Sequence, residues 1–331
     1  MNDSQNDVIS LTVPAEMAGK RIDQVLTLCL SDYSRSRIQQ WFKLNHVFLE
    51  GNNPKPKEKV WGGEVIEVRL QEALAVQQTE NWGAAQDLPL NIVFEDESLI
   101  IINKPAGLVV HPGAGNTDGT MLNALLHHAP ELEKIPRAGV IHRLDKETSG
   151  ILVVARTLAA HNKLSQLLQD REFTREYQAF VMGVMTAGGT VSAPIGRHPK
   201  HRTKMAVLPH SRTAREAVTH YRVERRYRAH TLVNVKLETG RTHQIRVHMA
   251  HIKYPIVGDP VYAGRMRIPA NASPEFIEGL RAFKRQALHA KTLGFIHPLT
   301  GEYQEWTVEM PEDMQELQSL LEQDESLHAD Q

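Results

Sequence analysis

Cysteine is nearly absent: Cys29 is the single one in 331 residues, which excludes an intrachain disulfide and any zinc cluster built on cysteine. Lying in the apolar run from Val25 to Leu30, it reads as a small core residue. Long hydrophobic runs are missing too; none approaches the roughly 20 residues that a membrane span needs. The opening Met1-Asn2-Asp3-Ser4-Gln5-Asn6-Asp7 is polar and acidic, unlike a secretory signal, and the cytoplasm is the simplest expected compartment. Neither a Walker loop nor a dinucleotide fingerprint occurs. No pattern of Cys, His and carboxylates completes a metal site. Neither a cofactor nor a metal is therefore expected.

Positive charge is missing from two stretches. Between Gln71 and Ser98 there are six acidic residues and no Lys or Arg, and from Pro311 onward seven acidic residues and again no Lys or Arg. The formal net charge of −1 thus hides a strong asymmetry. From Arg197 to His230 ten Arg and Lys face two Glu, a net of +8 with five histidines besides. A segregated basic block suits a polyanion, and it equally suits a solvated surface.

The chain is long enough for two domains. Residues 1–18 read as a disordered terminus. From Gly19 a compact unit begins. Ile22, Val25, Leu26 and Leu30 recur at helical spacing, a second helix carries Ile38, Trp41, Phe42 and Leu44, and strands are expected at 47–49 and 65–68. This unit spans 19–80, and a linker without periodicity runs from Gln71 to Leu88. A larger domain over 89–311 and an acidic C-terminal tail over 312–331 follow. Strands are expected at 92–94, 99–103, 140–142, 151–155, 177–184, 219–223 and 232–237, and helices at 121–128, 158–168 and 242–252. Strand often follows strand directly, so the expected class is α+β with a mixed, largely antiparallel sheet, not regular βαβ alternation.

Between two apolar runs stands His142-Arg143-Leu144-Asp145-Lys146-Glu147-Thr148-Ser149-Gly150. It places one carboxylate, Asp145, among cations on a loop held by a sheet. Catalytic groups tend to sit on such loops, although an ordinary charged turn has the same look. Arg175-Glu176-Tyr177 opens a strand in which Tyr177 lies opposite Phe180 by period two, offering a flat ring and a hydroxyl. In Gly240-Arg241-Thr242-His243-Gln244-Ile245-Arg246 a strand ends, Thr242 is placed to cap a helix, and Arg246 projects from its first turns. Its guanidinium can grip a carboxylate in bidentate fashion. Lys104-Pro105-Ala106-Gly107 makes a tight turn beside the sheet.

These segments, with Arg285-Gln286-Ala287-Leu288-His289-Ala290 near the end, resemble in content and order the motifs of the pseudouridine synthases related to the ribosomal large-subunit enzymes. The resemblance covers roughly residues 19 to 310 and is strongest to the D subgroup. Glu147 and Ser149 stand where that subgroup often has Asp and Thr. It implies cofactor-free isomerisation of uridine to pseudouridine within RNA, with Asp145 as the catalytic nucleophile. Arg246 would pair with that carboxylate and keep it ionised and oriented. Tyr177 would pack beside the target uracil, and Arg143 would fill the place of the extruded base. The 19–70 stretch resembles the S4 RNA-binding domain, which makes Arg35, Arg37, Lys55, Lys57 and Lys59 the implied phosphate contacts. The implied substrate is a hairpin loop of 23S large-subunit rRNA, free or in a pre-50S or 50S particle, met by a monomer away from any membrane. Another rRNA site or a tRNA is the nearer alternative, and a non-catalytic RNA-binding assembly factor the farther one. His248 and His251, spaced i, i+3 without further ligands, read as structural or RNA-contacting residues.

Overall fold

In the N-terminal unit (Met1–Asn81), Ile22, Val25 and Leu26 line the buried face of helix α1 (Ile22–Cys29), as their spacing requires. The computed structural model describes residues 8–30, 33, 35–69, 83–113, 116–201 and 203–328; the side chains of 35–37 and 40 lie outside that description. Helix α2 (Arg35–Lys43) adds Ile38, Trp41 and Phe42 to the same core. Both helices accompany an antiparallel sheet of β1 (Val8–Thr12), β2 (Val47–Leu49) and β3 (Val65–Arg69) in the order β1-β3-β2.

Two expectations for this unit fail. Residues 8–12, expected within a disordered terminus, pair with β3 from Val8 against Arg69 to Thr12 against Val65. The signal was a period of two: Ile9, Leu11 and Val13 all pack into the core. Cys29 is exposed rather than buried, because it falls on the final turn of α1, past the covered face. Much of the expected 71–88 linker lies outside the described residues. Its end does not hang free, since Asn123 donates to the Ala84 carbonyl at 2.9 Å and accepts from the Gln86 amide at 3.0 Å.

The second unit (Trp82–Gln331) is built on a nine-stranded sheet. Its strands are β4 (Ile92–Glu95), β5 (Leu99–Lys104), β6 (Ser149–Ala155), β7 (Thr174–Met182), β8 (Gly189–Ser192), β11 (Val218–Arg226), β12 (His230–Leu237), β13 (Leu288–Ile296) and β14 (Tyr303–Thr307). The path is β4-β5-β6-β13-β7-β12-β11-β8, with β14 also on β13. Every pairing is antiparallel except β13 with β6. A separate ribbon, β9 (Ile195–Arg197) with β10 (Met205–Val207), comes from the basic block. All seven residues of β6 are buried, which is why its sequence is a continuous apolar run without alternation.

Helices α3 (Met121–His128), α4 (Leu158–Gln169), α5 (Gln244–His251), α6 (Pro274–Ala282) and α7 (Glu312–Ser326) complete the unit. The 140–142 strand is not formed. Arg137 and Ala138 turn left-handed (φ 55° and 47°), and Val140 alone bridges to Val154 before the chain leaves the sheet. The 312–331 tail is a packed helix over 312–326. Met314, Leu317 and Leu321 enter the main core, and Asp324 binds Arg228 of the basic block at 2.7 Å. Acidic residues on its outer faces concealed that apolar stripe in the sequence.

Gly150 shows how tightly the central strands meet. Its φ is +114°, and a Cβ there would sit 2.2 Å from the Ala290 carbonyl oxygen on β13. Neither backbone can retreat without breaking the parallel β6–β13 pairing. Gly150→Ala is therefore expected to destabilise the protein by about 4 kcal/mol or more, read as insoluble expression or a collapsed melting transition. A soluble variant with an unchanged melting temperature would contradict the packing described.

Candidate active site

Asp145 lies in the connection that enters β6, and its loop is braced from two directions. Lys104, fully buried at the end of β5, donates from Nζ to the carbonyls of Pro105 (2.6 Å), Leu108 (3.0 Å) and Lys146 (3.0 Å). Burial pulls this ammonium down to about 8, which still leaves it mostly charged at neutral pH. The Gly107 backbone N–H donates to the same Lys146 carbonyl at 2.9 Å. From the other side Arg285 donates to the Glu147 carbonyl at 3.2 Å and Gln286 to the Thr148 hydroxyl at 3.1 Å. Arg285 is itself gripped by Asp313 of α7 at 2.5 and 2.7 Å. The acidic helix thus helps to hold the loop of Asp145.

Arg246, on the first turn of α5, reaches Asp145 Oδ2 with Nη1 at 2.9 Å. Its bidentate partner is another residue. Nε and Nη2 meet the two oxygens of Asp259 at 2.7 and 3.0 Å, and Asp259 also accepts the backbone amides of Val261 and Tyr262. Asp259 is completely buried, Arg246 5% exposed and Asp145 19% exposed. Burial works against the Arg246 charge, but hydrogen bonds and charge from Asp259, then Asp145, hold the guanidinium above its ordinary value. Asp145 Oδ1 accepts no hydrogen bond among the described residues, and His243 Nε2 stands 3.9 Å from it.

These groups open into a cleft of about 510 Å³ that also includes Arg143, Arg175, Tyr177 and Leu288. Tyr177 is buried on β7, and that burial pushes its phenol up, opposed by the Arg175 charge and reinforced by Asp145. Arg143 is exposed at the same cleft.

A model of the RNA pseudouridylate synthase family matches residues 98–251. Ribosomal large subunit pseudouridine synthase D of Escherichia coli K12 is 52% identical over 329 residues, covering 99% of this chain and 98% of that protein. The chain belongs to the RNA pseudouridylate synthase family. The protein of the same name from Xanthomonas campestris is 50% identical over 318 residues, covering 96% and 94% of the two chains. Human RNA pseudouridylate synthase domain containing 4, a solved structure, superposes with a TM-score of 0.56 at 29% identity, over 70% of this chain and 93% of that one.

For this synthase, Asp145, Tyr177, Arg246 and Arg143, singled out in the sequence, line one cleft. Lys55, Lys57 and Lys59 are exposed on the other unit, while the side chains of Arg35 and Arg37 lie outside the described residues. Three site features escaped the sequence reading. Asp259, thirteen residues beyond Arg246, carries no local signal of pairing, although Val257-Gly258-Asp259-Pro260 marks a turn. Arg175 is 6% exposed, and its one described side-chain hydrogen bond is to the Glu238 carbonyl at 3.0 Å, leaving Nε without a hydrogen-bond partner among the described residues. Position 242 is not the helix cap: His243 takes that place in a left-handed conformation. His248 is buried and hydrogen-bonds Thr219 and the Ala193 carbonyl, a structural use of both ring nitrogens. Among the described residues no cluster of His, Cys, Asp and Glu could hold a metal, and no helix is long and apolar enough to cross a membrane.

Proposed function

We propose that this protein isomerises uridine to pseudouridine in large-subunit ribosomal RNA, with Asp145 as the reacting carboxylate. One observation carries the assignment. Arg246 is charge-balanced by buried Asp259, so it orients Asp145, which lines the cleft, through a single bond to Oδ2 and leaves Oδ1 without a hydrogen bond among the described residues. A carboxylate saturated by a bidentate arginine would have both oxygens engaged. In the reaction the bond from ribose C1′ to uracil N1 breaks, the ring turns, and C1′ bonds to C5. The C5 proton leaves and N1 regains a proton, so atoms balance without redox chemistry. Asp145 serves this by covalent attack or by starting elimination at the sugar.

The uridine must leave its stack to reach a carboxylate this deep, at a cost of a few kcal/mol that is least for unpaired bases. A hairpin loop of 23S rRNA with several neighbouring uridines fits that economy, whether as free RNA or in a pre-50S or 50S particle. Arg143, exposed at the cleft, occupies the vacated stack, and Tyr177 packs on the extruded ring. We read the protein as a cytoplasmic monomer. Mapping pseudouridine in cells lacking it tests the substrate: neighbouring sites in one 23S hairpin should disappear with tRNA unaffected. An intact hairpin with a lost tRNA site would overturn this choice.

The N-terminal unit supplies affinity through phosphates. Lys55, Lys57 and Lys59 are all exposed on one short segment. Replacing the three by Gln should flatten the dependence of log affinity on log salt by up to about two, at roughly 0.7 per single-stranded phosphate. Turnover at saturating RNA should stay within about twofold, since backbone contacts position RNA without entering the chemistry. An unchanged salt slope would remove these lysines from the interface.

A further inference from the structure

We infer that His243 is a positioning residue for the second oxygen of Asp145, acting as a neutral imidazole whose tautomer is set by Tyr262. The inference rests on the reading of Asp145 as the reacting carboxylate. Four observations support it. His243 Nε2 stands 3.9 Å from Asp145 Oδ1, the oxygen that Arg246 does not bind. Its Nδ1 is 2.8 Å from the Tyr262 hydroxyl. That hydroxyl already accepts the Met205 amide at 2.9 Å, so its own proton is available to Nδ1. The histidine backbone is left-handed, φ 56° and ψ 22°, a conformation that costs a non-glycine residue energy and clusters at functional sites.

Together these make a two-armed clamp rooted in one buried group. Asp259 holds Arg246, which holds Oδ2. The same Asp259 accepts the backbone amide of Tyr262 at 3.1 Å, and Tyr262 holds the ring that faces Oδ1. With Tyr262 O–H donating to Nδ1, the neutral imidazole carries its proton on Nε2. That N–H points a donor at a carboxylate oxygen. A distance of 3.9 Å is longer than a hydrogen bond; a bridging water or a closure of about 1 Å with RNA bound makes the contact.

The groups facing His243 are Asp145 and Arg143 from the loop before β6, Arg246 on its own helix, and Asp259 and Tyr262 from the following turn. Burial is the largest influence on the imidazole and works against protonation, leaving it below its ordinary value. The sign for catalysis follows. The neutral N–H orients Oδ1 through a weak contact that the substrate displaces; as pH falls and the ring becomes cationic, an ion pair replaces that contact and lowers the reactivity of the carboxylate, so the rate drops on the acid side. A neutral amide in its place donates without titrating.

Single-turnover pseudouridine formation at saturating 23S rRNA fragment, measured across pH, tests this. His243→Asn tolerates the left-handed backbone but is too short to reach Asp145; it should lose about 10- to 100-fold in rate, with RNA affinity within about threefold. His243→Gln restores a donor at longer reach and should recover most of that loss, with the acid limb moved to lower pH. Should His243→Asn melt early, Tyr262→Phe keeps the Tyr262 amide on Asp259, gives up the hydroxyl that accepts the Met205 amide and releases the tautomer, and about a 10-fold loss is expected at temperatures where that variant is folded. Wild-type rates in all three variants overturn the inference, as does a Gln variant that loses activity yet keeps the wild-type pH profile. Asp145→Asn is run alongside. If that variant is active, the reading of Asp145 falls; if it is inactive while the His243 variants are normal, only this inference falls.

Discussion

Asp145→Asn is expected to abolish pseudouridine formation, by on the order of 10³-fold or more in single turnover, while RNA affinity stays within about threefold. The amide keeps the size of the carboxylate and still offers Arg246 Nη1 an oxygen at the position now 2.9 Å away, so the loop should not rearrange. What disappears is the negative charge of a carboxylate that lines the cleft. Melting temperature should change little, because Asp145 is partly exposed and its loop is held through backbone carbonyls by Lys104 and Arg285. Activity within tenfold of wild type would end the assignment.

Asp259→Asn is expected to damage both stability and rate, although Asp259 never meets the cleft as a reacting group. Arg246 is 5% exposed and donates two of its three described side-chain hydrogen bonds to this carboxylate. The amide would turn an N–H₂ toward a guanidinium donor and remove the charge that balances it. Breaking one side of a buried pair costs about 3–5 kcal/mol, so a large fall in melting temperature should be measured. Arg246 would retain Asp145 as its one carboxylate and draw it out of place. Misplacement of about 1 Å is worth around 100-fold in rate, and that loss should persist at temperatures where the variant is folded. A variant that melts and turns over like wild type would show that Asp145 needs no such support.

The sequence by itself determined the parts whose information is local. Period-3.6 and buried apolar runs placed α3 at its observed bounds of Met121 to His128 and marked the core of β5 and β6. The antiparallel-dominated α+β class followed from strands succeeding strands. Motif content placed Asp145, Tyr177, Arg246 and Arg143, which the fold brings to one cleft. Two readings failed because a local pattern had a long-range alternative. The Val8–Thr12 strand needs β3, more than fifty residues on, to supply its hydrogen bonds. The acidic terminal helix needs Arg225, Arg228 and Arg285 to neutralise it and the main core to receive Leu317 and Leu321.

Only the tertiary structure decided the electrostatics of the site. Sequence supplied an aspartate and an arginine 101 positions apart; it could not say that a second aspartate would take the bidentate face of that arginine. Which carboxylate binds the fork of a guanidinium depends on the angle between a helix and a turn. That angle is set by packing, and no periodicity encodes it. The same holds for His243: its left-handed backbone, its bond to Tyr262 and its approach to Oδ1 exist only once α5, the 259–262 turn and the loop before β6 are brought together.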